Sequence, residues 1–155
     1  MEMKMLRLAQ PEDWEEVNRI SRQVHSLHVS WRPDIFRHTD NTYPEEYFQD
    51  DIQEELVYVA IMNSVIVGYV RFFTWETNSD GSVPSKVLDI DDITVDEIHR
   101  GQGVGKEIME DVKSLARELG CNDIQLSVYP QNETAVRFYE SCGFKVRNIR
   151  YQMYI

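Results

Sequence analysis

Of the 155 residues, no stretch comes near the ~20 consecutive apolar residues that a membrane helix needs, because charge interrupts every hydrophobic run first. The opening, MEMKMLRLAQPEDW, lacks an apolar core followed by a small-residue cleavage site, so no secretory signal is read and a cytoplasmic location is the expectation. Cysteine is scarce: Cys121 and Cys142 have neither CxxC nor metal-ligand spacing and read as ordinary thiols. Basic residues are outnumbered, 16 Lys and Arg against 27 Asp and Glu, for a net charge of −11. A nucleic-acid surface needs clustered cations to displace counterions, so that class is excluded. The acidity leans toward cationic small partners and otherwise serves to solvate the surface. There is no repeat, no low-complexity tract and no linker. His25 and His28 are suitably spaced for a metal but no third ligand accompanies them, so no metal is expected.

What is present is an alternation of strand and helix signals in a chain of single-domain size, 1–155. Met3 to Ala9 alternates as a short strand. Pro11 then opens a helix in which Trp14, Val17, Ile20, Val24 and Leu27 recur at helical spacing, with acids in its first turn. Residues 30–55 are rich in proline and aromatics and predict one or two short helices, the second starting near Pro44. Leu56 to Met62 and Val65 to Trp75 read as a hairpin turning at Asn63-Ser64. Lys86 to Val95 predicts another strand. From Gly103 to Leu119 the residues Val104, Ile108, Val112, Leu115 and Leu119 mark one face of a helix that Gly120 ends. DIQLSVY predicts a strand, and NETAVRFYESC a helix capped by Asn132 and broken by Gly143. FKVRNIRYQMYI closes the pattern as one or two strands, read as a hairpin near Asn148. The sum is a mixed sheet in an α/β or α+β domain.

The turn RGQGVG stands between a strand and a helix. Such a junction leaves backbone N–H groups unpaired beside the positive end of the helix dipole, a place suited to phosphate. Glycine at 101, 103 and 105 permits close approach and left-handed angles, while Arg100 and Lys106 add cationic donors. A plain connection would not need three glycines. The spacing is not a Walker A loop, since three residues separate Gly101 from Gly105 and Glu107 follows Lys106. Nor is it a dinucleotide fingerprint, since Gly105 follows Gly103 by two positions instead of three.

RGQGVG matches the Q/R-x-x-G-x-G/A signature of the GCN5-related N-acetyltransferase superfamily at Arg100, Gly103 and Gly105. N-x-x-A-x-x-F-Y-x-x-x-G-F from Asn132 to Phe144 resembles the family's closing motif, and RLAQPEDWEEV its first strand and helix. The resemblance implies a twisted, mostly antiparallel mixed sheet of six to seven strands with about four helices, splayed between strands 4 and 5, with acetyl-coenzyme A as co-substrate in the opening. It places the cofactor against Ile93, Thr94, Val95, Arg100, Gly101, Gln102, Gly103, Val104, Gly105 and Lys106, with Asn132 and Tyr139 on its arm. Tyr139 is then the donor to the departing thiolate. The base is a carboxylate of the fourth strand, Asp92 ahead of Asp91, acting through water. Asp stands where relatives usually carry Glu, and a solvated or structural role for these carboxylates stays open. Strand alternation sends Asp91 and Asp92 to opposite faces unless a bulge intervenes. The acceptor pocket falls on His28, Trp31, Phe36, Tyr43 and Phe73, with an acidic rim at Glu45, Glu46, Asp50 and Asp51. The expected activity is N-acetylation of a primary amine, on a small cationic molecule, by direct transfer in a ternary complex. A peptide or protein N-terminus and a non-catalytic acyl-coenzyme A sensor are the alternatives. RNIRYQMYI offers an edge through which a homodimer could pair.

Overall fold

The hairpin turning at Asn63-Ser64 supplies two inner strands of the sheet. In the computed structural model, which describes residues 3–155, five strands form one sheet in chain order: β1 (Leu6–Leu8), β2 (Val57–Met62), β3 (Val65–Thr77), β4 (Ser85–Val95) and β5 (Asp123–Leu126). The first three junctions are antiparallel and β4–β5 is parallel. Asn63 and Ser64 carry φ of 51° and 64°, the pair of left-handed angles that a tight hairpin turn of matching twist requires.

Four helices flank the sheet: α1 (Trp14–Trp31), entered through a short 3-10 turn at Pro11–Asp13, α2 (Glu45–Gln53), α3 (Val104–Glu118) and α4 (Glu133–Ser141). Alternation along β3 sends Tyr69 to one face and Val70 to the other, and each face has its own core. Val17, Ile20, Tyr43 and Phe48 pack on Val57, Val59 and Tyr69. On the opposite face Val104, Ile108, Met109, Val112 and Leu115 cover Val67, Val70, Phe72, Leu88 and Ile90. Asp111 of α3 is buried and its carboxylate accepts from the amides of Lys4, Met5 and Leu6 at 2.7–2.9 Å. One carboxylate thus answers three consecutive donors at the entry to β1.

Residues 30–55 hold one short helix, α2, capped at Pro44 as the sequence predicts, with turns and coil before it. One expectation is corrected. The sheet has five strands among the described residues, short of six to seven, because FKVRNIRYQMYI forms none. Its alternation suits a strand, but no described strand pairs with it. The splay is present: β4 and β5 pair only from Val87↔Asp123 to Ile90↔Leu126. Beyond Ile90, β4 continues to Val95 with no described strand on its β5 side.

Candidate active site

β4 leads through Asp96 and a 3-10 turn (Glu97–His99) into the glycine turn and then α3. Asp96 is buried and fixes this junction: it accepts from Arg19 Nη2 at 2.6 Å and Gln23 Nε2 at 3.0 Å, both on α1, and its amide donates to Val67 O at 2.8 Å. Burial alone would raise the Asp96 pKa, but the Arg19 and Gln23 bonds outweigh it and hold the group below the ordinary carboxylate value. Gly101 and Gly103 have φ of 76° and 82°, and a Cβ on either would meet nothing within 4 Å. Among the described residues, none of the amides from Gly101 to Lys106 donates to a protein acceptor. An open turn of unpaired donors at the head of a fifteen-residue helix suits a diphosphate. Gly105 serves another purpose: its φ is ordinary, and a Cβ there would stand 3.1 Å from Phe138 Cζ, so its smallness lets α4 pack on α3. Arg100 is not free, since its Nε donates to Val95 O at 3.0 Å; Lys106 is exposed.

The bulge that sequence alternation left open is real. Arg71 pairs with Asp92 while Phe72 pairs with Ile90, so Asp91 is the unmatched residue. Asp91 is exposed and receives Arg71 Nη1 at 2.9 Å. The same guanidinium grips the buried Asp51 through Nε at 2.6 Å and Nη2 at 3.2 Å. Asp92 turns toward Tyr69 and Thr94: the Tyr69 hydroxyl donates to Asp92 Oδ2, and Thr94 Oγ1 to Asp92 Oδ1 at 3.0 Å. Protein packed around the Asp92 carboxyl raises its pKa above the ordinary carboxylate value, against the lowering effect of those two donors. For an acid so shifted the folded state favours the protonated form. Ionisation therefore costs stability as pH rises from the unfolded pKa through the folded one. Asp92→Asn, which keeps an acceptor for Tyr69, is expected to melt a few degrees above wild type at neutral pH, with the difference vanishing below pH ~4. Melting curves across pH check this, and a less stable variant at neutral pH would contradict it.

Tyr139 sits on α4 between Phe138 and Phe144, ring centroids 5.6 and 5.8 Å away. Among the described residues nothing hydrogen-bonds its hydroxyl. Burial first, then the charge of Asp92, pushes its pKa up to about 12, so it remains a donor at neutral pH. Asn132 caps α4, its Oδ1 accepting from Ala135 N at 3.2 Å.

The aromatic residues separate into two places. His28 stacks on Phe36 at 5.1 Å and lies 5.9 Å from Trp31. Tyr129, which sequence reading passed over, joins them at 5.5 Å from His28 and 5.6 Å from Phe36. Burial lowers the His28 pKa, with help from His25. Tyr43 lies elsewhere, packed on Phe48 and Tyr69 with its hydroxyl donating to Asp51. Phe73 is 40% exposed on β3 opposite Asp89. The bulge opens a cleft of about 210 Å³ lined by Thr42, Tyr43, Pro44, Tyr47, Asp51, Arg71, Asp91 and Asp92. A larger hollow of about 420 Å³ lies at the far end of the β3–β4 hairpin, lined by residues such as Glu76, Lys86 and Asn122, away from these groups. No cluster of metal-ligating side chains occurs among the described residues.

Among known proteins, the structure of a tetramutant of the BH1408 protein from Bacillus halodurans superposes with a TM-score of 0.90 at 32% identity, covering 98% of this chain and 100% of that one. The glucosamine 6-phosphate N-acetyltransferase 1 of Dictyostelium discoideum is 33% identical over 66 residues, 43% of this chain and 40% of that protein. The thialysine N-epsilon-acetyltransferase of Sus scrofa is 32% identical over 81 residues, 52% of this chain and 45% of that protein. The aligned regions thus span less than half the length of these two curated relatives. The profile of the Acetyltransferase (GNAT) family matches residues 23–144. With the sheet parting after Ile90 and the open glycine turn before α3, the chain belongs to the GNAT family of acetyltransferases.

Proposed function

We propose that the protein transfers an acetyl group from acetyl-coenzyme A directly to the primary amine of a small cationic molecule. The observation that carries this reading is the turn of unpaired amides, Gly101 to Lys106, beyond the strand that holds Asp92. Those amides would hold the diphosphate, with Ile93, Thr94 and Val95 along the pantetheine arm and Asn132 beside it. The bulge cleft then receives the acceptor. It holds three carboxylates against one guanidinium, and Arg71 is already engaged by Asp51 and Asp91. Its net charge favours a cation and disfavours an anionic acceptor. An amine must be neutral to attack, and Asp92, with its raised pKa, would accept the proton through water. Tyr139 would donate to the departing thiolate. The relatives named for glucosamine 6-phosphate and thialysine support a small amine as the acceptor class.

A peptide amine is the second reading, favoured by the open rim of the cleft, where Tyr47 is 59% exposed. Free-thiol release from acetyl-coenzyme A, assayed over a panel of diamines, amino sugars, lysine analogues and short peptides, separates the readings. Turnover with small cations supports the first. Turnover confined to peptides supports the second, and tight cofactor binding without transfer to any amine points to a sensing module.

A further inference from the structure

The bulge cleft holds three carboxylates, and their partners differ. Arg71 grips Asp51 through Nε at 2.6 Å and Nη2 at 3.2 Å, and Asp91 through Nη1 at 2.9 Å. Asp92 lies opposite Arg71 in the β3–β4 pairing. Among the described residues, though, it is bonded to neutral hydroxyls alone, Tyr69 Oη on Oδ2 and Thr94 Oγ1 on Oδ1 at 3.0 Å. A carboxylate that takes up a proton beside a guanidinium forfeits a charge-assisted bond. Asp92 has no such bond to lose, so it is the carboxylate of the cleft best placed to receive a proton.

Tyr69 reaches this group from behind. It is fully buried on β3, its ring centroid 6.2 Å from that of Tyr43, and it is absent from the lining of the cleft that Asp92 enters. An acceptor in the cleft therefore meets Asp92 and not Tyr69. Tyr43 is no competitor, since its own hydroxyl is committed to Asp51. Burial, then the neighbouring charge of Asp92, raises the Tyr69 pKa well above the ordinary tyrosine value, so its hydroxyl keeps its proton and stays a donor. An ionised carboxylate offers about four lone-pair sites. Tyr69 fills one on Oδ2 and Thr94 one on Oδ1, which leaves a site on each oxygen for the cleft.

We propose that Tyr69 is a positioning residue for acetyl transfer: its hydroxyl fixes Asp92 Oδ2 and so holds the carboxylate with its open lone pairs toward the acceptor. This role rests on the reading of Asp92 as the base; the base is then set by a group that no substrate touches. The groups facing Asp92 are Tyr69 and Arg71 from β3, Asp91 and Thr94 from β4, and Tyr139 from α4, with Asp51 of α2 beyond Arg71. Burial, chiefly, and the charge of Asp91 raise the Asp92 pKa, while Tyr69, Thr94 and Arg71 lower it, Tyr69 most. Tyr139, with a pKa of about 12, is uncharged at neutral pH. Loss of the Tyr69 hydroxyl removes the largest lowering influence, so the Asp92 pKa rises and the carboxylate that must accept the proton is less populated at low pH. Well above that pKa the base is ionised either way, and the effect fades.

The test compares wild type with Tyr69→Phe, which removes one oxygen and keeps the ring against Tyr43. Carbon-13 NMR of the carboxyl groups, with Asp92 assigned by the signal missing from Asp92→Asn, follows the Asp92 titration in the free protein and needs no turnover. Steady-state kcat/KM against pH is measured with an amine that the panel shows to be acetylated. It is taken as the ratio of variant to wild type, in which the amine's own ionisation cancels. The expected result is a carboxyl titration at least about one pH unit higher in Tyr69→Phe, with kcat/KM about tenfold lower below both titrations and within about threefold of wild type above them. A titration that does not move overturns the proposal. So does a ratio that is flat across pH, which is what a merely structural role would give. Asp92→Asn with the wild-type pH profile, or no transfer to any amine, overturns the underlying reading and the role of Tyr69 in transfer with it, whichever way the carboxyl titration falls.

Discussion

Tyr139→Phe is expected to slow acetyl transfer ~10- to 1000-fold while leaving acetyl-coenzyme A affinity within about threefold of wild type. The substitution removes only an oxygen, so the ring contacts with Phe138 and Phe144 survive. Its pKa of about 12 also defines the role. A thiol ionises near 8.5, so full transfer of the phenolic proton to a departing thiolate would run uphill. In the proposed mechanism Tyr139 would therefore act as a hydrogen-bond donor that stabilises developing charge, the thiolate collecting its proton from solvent afterwards. Steady-state kinetics with separate kcat and KM decide the matter. A variant with undiminished kcat removes Tyr139 from the chemistry.

Gly68→Ala is expected to be the most damaging of the small substitutions. A Cβ there would stand 2.6 Å from the carbonyl oxygen of Thr94 and 3.2 Å from Ile108 Cδ1. The Ile108 methyl can yield. The carbonyl cannot, because it belongs to β4 at the Gly68↔Val95 pairing, one residue before Asp96 anchors the glycine turn. Relief requires β3 and β4 to part, at about 3 kcal/mol, or about 6–12 °C in melting temperature for a chain of this size. The strand residues expected to hold the cofactor arm move with it, so cofactor affinity should fall too. Gly81→Ala is the control: nothing lies within 4 Å of the added carbon, so its melting temperature should match wild type. Equal melting of the two variants would mean that β3 and β4 are not held as closely as described.

Elements fixed by local physics were legible in the sequence. α3 declared itself through Val104, Ile108, Val112 and Leu115, all buried, and Asn63-Ser64 through turn chemistry. Leu119, counted on the same face, is instead the helix cap and 38% exposed. Pairing across strands was less readable. The bulge that leaves Asp91 unmatched depends on β3 as much as on β4, so alternation could pose the question of Asp91 and Asp92 without answering it. Tyr69 reads as one more apolar-patterned strand residue; only its position opposite Thr94 delivers its hydroxyl to Asp92. Tyr129 carries no periodic signal, and Tyr43 is grouped with His28 only because the family resemblance places the acceptor pocket over the whole segment between the first two helices. The segment after α4 has the right alternation for a strand, but a strand also needs a neighbour, and among the described residues it has none.

The account rests on a diphosphate held by the amides of Gly101 to Lys106. Titration calorimetry of the wild-type protein with acetyl-coenzyme A and, separately, with S-acetyl-pantetheine, which has the same arm and thioester but no diphosphate or nucleotide, tests it most directly. One acetyl-coenzyme A should bind per chain, and the truncated thioester should bind roughly a hundredfold more weakly, the loss of charge-assisted bonds to the turn. Equal affinity for the two, or no heat with either on folded protein, would contradict it.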